Sequence, residues 1–94
     1  MHLANLRFKI ISDLAKDRIV ELLRLESWDQ MITSAIENHV DPVDYVYSLL
    51  SKNPRDVGEL TLDTVRIICT SDCISAKEEY IDQLHDFVYH KCST

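Results

Sequence analysis

RLESWDQMITSAIENH, residues 24–39, decides how this chain is read. Ser27 stands directly before Trp28-Asp29-Gln30, so its hydroxyl can accept the backbone N–H of Gln30 while the Gln30 amide reaches back, the reciprocal pairing of a capping box. A helix therefore starts at Trp28. Along it Trp28, Met31, Ile32, Ala35, Ile36 and His39 recur at three-and-four spacing, while Asp29, Gln30, Thr33, Ser34, Glu37 and Asn38 occupy the other side. One face is apolar and one is wet.

Working outward, SDLAKDRIVELLRLE (12–26) is also helical, but Leu14, Ile19, Val20, Leu22, Leu23 and Leu25 spread around more of the circumference than one stripe needs. This helix is expected to touch neighbours on two sides. Ahead of it HLANLRFKII (2–11) forms a shorter first helix with Leu3, Leu6 and Ile10 on one side. Downstream, DPVDYVYSLLSKNP (41–54) offers Asp41 as N-cap, Pro42 at the first helical position and Asp44 near the positive end of the dipole, with Val43, Val46, Tyr47 and Leu50 sharing a face. Pro54 marks its stop, and RDVGE (55–59), with the lone glycine, reads as a loop. Thr61 caps a helix bearing Leu62, Val65, Ile68 and Cys69. Ser75-Ala76-Lys77-Glu78 is a second capping box opening a last helix striped by Ala76, Tyr80, Ile81, Leu84, Phe87 and Val88.

The fold class is therefore all-α: five to six short amphipathic helices forming an articulated helical hairpin or wrap, in a single domain spanning residues 1–94. One glycine and two prolines leave too little turn chemistry for a many-stranded sheet. A chain of 94 residues buries only about 60–65% of the surface its unfolded form exposes, so help from a partner fits its size.

Sixteen acidic against ten basic residues give a formal charge of −6, with no basic cluster, which excludes direct phosphate-backbone binding. No apolar run approaches a membrane span and the N-terminal residues lack a secretory pattern, so the chain reads as soluble and intracellular. Three cysteines, an odd number, suit reduced thiols better than a disulfide framework. A single glycine cannot build a phosphate-binding loop.

Two kinds of site chemistry compete with plainer readings. Cys69 and Cys73, four apart on one helix face, could join His90 and Cys92 as zinc ligands, but small buried thiols in a helical core are the commoner use of such a pair. No metal or cofactor is expected. His39, His85 and His90 approach no cysteine in the sequence, and no nucleophile turn is visible. Glu78-Glu79 and Asp82 with Asp86 fall on the polar face of the last helix, where solvation accounts for them, so no catalysis is expected.

RIVELLRLESWDQMITSAIENH (18–39) resembles the second and third helices of the enhancer of yellow 2 family, in which a leucine-rich helix leads into a tryptophan, an acid and an apolar helix. LTLDTVRIICTSDCISAKEEYIDQLHDFV (60–88) resembles its last two helices. The resemblance rests on Arg18, Leu22, Leu23, Trp28, Asp29 and Gln30, then on Leu62, Asp63, Val65, Ser75, Leu84 and Phe87. Ser27 stands where that family usually has glycine, and helix 42–50 resembles an insertion.

Members of that family are non-enzymatic adaptors that wrap a long scaffold-protein helix. They serve a histone-deubiquitinating transcription coactivator module and a nuclear-pore-associated mRNA export complex. The resemblance thus implies a nuclear protein, including the pore, with a cytoplasmic share, binding neither nucleic acid nor membrane. It nominates Leu22, Leu25, Trp28, Ile32, Val65, Ile68, Ile81, Leu84 and Phe87 as groove or core residues, with Trp28 as the pin between two helices. The alternatives are a homotypic helical interaction domain and a small Cys/His zinc-dependent regulator.

Overall fold

In the computed structural model, which describes residues 3–52 and 61–89, five helices follow in order: α1 (Leu3–Leu23), α2 (Trp28–Glu37), α3 (Pro42–Ser51), α4 (Leu62–Cys69) and α5 (Glu78–Tyr89). No strand occurs among the described residues, in keeping with the all-α expectation. The RDVGE loop and the Pro54 stop lie outside the described residues, as do His90 and Cys92.

Three helix starts obey the local chemistry of their caps. Ser27, in extended backbone, accepts the Gln30 N–H at 3.1 Å. Asp41 Oδ1 accepts the Val43 N–H at 2.8 Å with Pro42 in the first turn. Thr61 Oγ1 accepts the Thr64 N–H at 3.2 Å. Each satisfies a backbone donor that the helix itself cannot reach.

The fourth start departs from expectation. The last helix begins at Glu78 and not at Ala76, and the amides of Tyr80 and Ile81 donate to the Lys77 carbonyl. Ile74 and Ala76 are half-buried against the core while Ser75 points outward, so packing of the approach segment overrides the box. Lys77 stands at the cap instead, its Nζ lying 5.4 Å from the Tyr80 ring centre.

The N-terminal half departs further. Where two helices are expected, α1 runs unbroken for 21 residues, a rod of about 32 Å at helical rise. The second of those helices is expected from Ser12, yet Ser12 is buried in line with Phe8, Ile11, Ala15 and Ile19, a single apolar stripe that crosses the junction. No glycine or proline interrupts it. The tertiary stripe wins over the expected break.

α1 packs most extensively along α5, α3 packs on α4, α4 on α5, and α2 spans between α1 and α3. Ile19, Val46, Leu50, Val65, Ile68 and Leu84 meet in the middle as the largest fully buried apolar side chains. The radius of gyration, 13.0 Å, matches the roughly 12–13 Å of a closed domain of this length.

Two helices end in a left-handed residue that is not glycine. Arg24 (φ 54°) follows α1 and His39 (φ 57°) follows α2, both left-handed, and the next amides bond back across six residues, Leu25 N–H to Val20 O and Val40 N–H to Ala35 O. His39 is thus the exposed end of α2 and not a member of its stripe. Ile36, also expected in that stripe, is 62% exposed.

Candidate protein-binding surface

The nine residues nominated from the sequence come together, but inward. Val65, Ile68, Ile81, Leu84 and Phe87 are buried core residues, while Leu22, Leu25, Trp28 and Ile32 are half-buried and packed against that core. They lie where α1, α4 and α5 pack on one another.

Trp28 joins α1 to α2. Lys16, on α1, places its Nζ 5.8 Å from the indole ring centre and 3.9 Å from Asp72 Oδ2, with only 17% of its own side chain exposed. A lysine stem laid along an aromatic face covers apolar surface while its ammonium stays near a carboxylate and the ring's negative face. Two residues along α1, the Arg18 guanidinium lies 5.5 Å from the Phe87 ring centre on α5.

α1 is apolar on both sides. Its inner stripe carries Phe8, Ile11, Ala15 and Ile19; on its back Leu3, Leu6, Ile10 and Leu14 form a second line, 68%, 43%, 53% and 38% exposed. These positions are three, four and four residues apart, so they stack over three turns on one edge of the cylinder. The sequence places Leu3, Leu6 and Ile10 together. Leu14 joins them only because the helix is continuous.

The flanks of this line are charged. Arg7 Nη1 lies 2.7 Å from Glu78 Oε1, and Lys9 Nζ lies 3.5 Å from Asp13 Oδ2. Next along the line come Asp17 and Glu21, both exposed, and neither enters an ion pair among the described residues.

On the inner side of α1 a shallow cavity of about 450 Å³ lies against the 71–76 segment. Ser12 and Lys9 are among its lining residues, and Ser12 Oγ is buried there without a hydrogen-bond partner. Asp13, Ser71, Asp72 and Ser75 line it as well.

The cysteine pair separates. α4 ends at Cys69, and Cys73 lies in the following turn, its amide donating to the Thr70 carbonyl, so the two thiols share no helix face. Cys69 is half-buried and Cys73 exposed. Burial raises the Cys69 thiol from 9.0 to about 11, against a lowering by Lys16 and with a small further rise from Asp41. No group of three or more His, Cys, Asp or Glu residues converges to hold a metal among the described residues.

No family model, curated protein or solved structure matches this chain. No described helix is long and apolar enough to cross a membrane.

Proposed function

We propose that this chain is a non-enzymatic helical adaptor that binds a helix of a larger scaffold protein. The observation behind the reading is the outer line of α1. Ile36, Val40, Leu62 and Tyr89 are exposed elsewhere, but on α1 four large aliphatic side chains, Leu3, Leu6, Ile10 and Leu14, are exposed in one contiguous row. Single exposed leucines are ordinary; a row at helical spacing has the form of a helix-recognition face.

The resemblance to the enhancer of yellow 2 family nominates the scaffold helices of a histone-deubiquitinating coactivator module, or of a nuclear-pore-associated mRNA export complex, as first candidates. In that family the adaptor wraps its partner. Here five of the nine residues expected to line the wrap are buried core and four are half-buried against it, so the reading assigns contact to the back of α1.

The test is co-purification of a tagged chain from its native cells under gentle salt, beside the double variant Leu6→Ser with Ile10→Ser. Scaffold proteins of either complex recovered with the natural chain, and lost with a variant whose thermal melt is unchanged, are expected. Equal recovery with both, or recovery of the chain alone, overturns the reading.

A further inference from the structure

We infer that the outer face of α1 takes a basic amphipathic helix: one with large aliphatic residues at three-and-four spacing and lysine or arginine one turn beyond them. This rests on the adaptor reading and adds the chemistry of the partner.

The apolar part of the site is set by Leu3, Leu6, Ile10 and Leu14, whose spacing matches the seam along which two helices pack ridge into groove, with axes about 8–10 Å apart. A seam three turns long calls for a partner helix of at least that length. Its ends differ in charge. At the N-terminal end both cations are already committed, Arg7 to Glu78 on α5 and Lys9 to Asp13 one turn along. At the other end Asp17 and Glu21 continue the same edge of the helix and carry negative charge with no ion pair among the described residues. An incoming helix that lays aliphatic side chains on the line meets two uncompensated carboxylates where the line stops. Cations at that point of the partner satisfy them.

The other candidate occupant is a second copy of this chain. Each copy carries a net charge of −6, so pairing two of them sets like charge against like. The outer face of a second α1 also brings its own Asp17 and Glu21, while its Arg7 and Lys9 are already bonded. A cationic helix has neither difficulty.

The experiment is a fluorescence-anisotropy titration of the whole chain with three synthetic peptides of about 18 residues, long enough for the three-turn seam. One carries leucines at the seam spacing followed by two lysines; the second replaces the lysines by glutamates; the third has the lysine peptide's composition with the leucine spacing scrambled. At low salt the lysine peptide is expected to bind about three- to tenfold more tightly than the glutamate peptide, a gap that narrows in about 0.5 M salt. The scrambled peptide binds far more weakly. Asp17→Asn with Glu21→Gln is expected to bring the lysine and glutamate peptides within about twofold of each other, and Leu6→Ser with Ile10→Ser to abolish binding of both.

Equal binding of the lysine and glutamate peptides by the natural chain, or a lysine preference that survives Asp17→Asn with Glu21→Gln, overturns the basic-partner inference. The adaptor reading then stands or falls on the co-purification alone. Binding of no peptide, or of the scrambled one equally, also overturns it. So does sedimentation of the chain alone as a dimer that Leu6→Ser with Ile10→Ser dissociates, which assigns the face to a second copy.

Discussion

The two faces of α1 are written in nearly the same letters and meet opposite fates. Phe8, Ile11, Ala15 and Ile19 turn inward onto α5 and the rest of the core; Leu3, Leu6, Ile10 and Leu14 turn outward and are exposed. Burial of the inner face contributes to folding, because it removes apolar surface from water at about 25 cal/mol per Å². The outer face has that same stabilisation still to gain, and a partner can supply it. The proposed function thus rests on which aliphatic residues remain uncovered, since their type and spacing do not separate them.

The comparison breaks most readily at Ile19. It is fully buried, so Ile19→Ala is expected to destabilise the chain by about 2–5 kcal/mol, the sum of lost transfer energy and an unfilled cavity. Urea unfolding followed by circular dichroism measures it. A loss below about 0.5 kcal/mol, the ordinary range for a surface site, would put Ile19 on a face as open as the outer one.

Trp28 sharpens the comparison because it belongs wholly to neither face. Half-buried and lying under Lys16, it is expected to cost about 1–3 kcal/mol on truncation to alanine, below the 3–5 kcal/mol range of a fully buried aromatic. The joint between α1 and α2 is what weakens. An unchanged urea midpoint for Trp28→Ala removes the indole from any structural role at that joint.

Cys69 and Cys73 repeat the inner and outer contrast in thiol chemistry. At pH 8 a soluble alkylating reagent is expected to modify Cys73 and spare Cys69, whose proton is held to about pH 11 by burial. The sign for stability follows from the raised value. The unfolded chain releases this proton near pH 9.0 and the folded chain only near 11, so the contribution is whole below pH 9 and is lost as pH climbs to 11. Allowing for partial exposure, the stability advantage of the natural chain over Cys69→Ala shrinks by about 1–2 kcal/mol across that window. A constant difference between the two denaturation curves at pH 8.5 and pH 10.5 shows the thiol to be as open as Cys73.

How much of this was legible in the sequence depends on how far apart the interacting groups lie. Ser27, Asp41 and Thr61 announce their helices correctly because an N-cap is settled between a side chain and an amide two or three residues on. Ser75 offers a similar local signal and starts no helix, because packing of Ile74 and Ala76 displaces the start, and the stripe through Phe8, Ile11 and Ala15 runs over the break expected before Ser12. Those contacts cross the fold and leave no mark within a few residues. The nominated site shows the same limit, since Val65, Ile68 and Leu84 are apolar residues at helical spacing whether they line a groove or fill a core. The outer line was half visible in Leu3, Leu6 and Ile10. Joining Leu14 to it required knowing that α1 does not break at Ser12.

The smallest expected effect is also the one on which the comparison turns. Ile10 is more than half exposed between Leu6 and Leu14, so replacing it with serine removes apolar surface that folding did not bury. Helix propensity changes little between isoleucine and serine, and the substitution is expected to shift stability by no more than about 0.5 kcal/mol. The same urea titration used for Ile19→Ala reads it. A loss of about 2 kcal/mol or more would mean that the outer line is covered within the chain itself, which leaves no open face for a helix of another protein. A flat result beside a large loss at Ile19 places two similar residues on one helix in two different roles, one holding the bundle together and the other free to hold a partner.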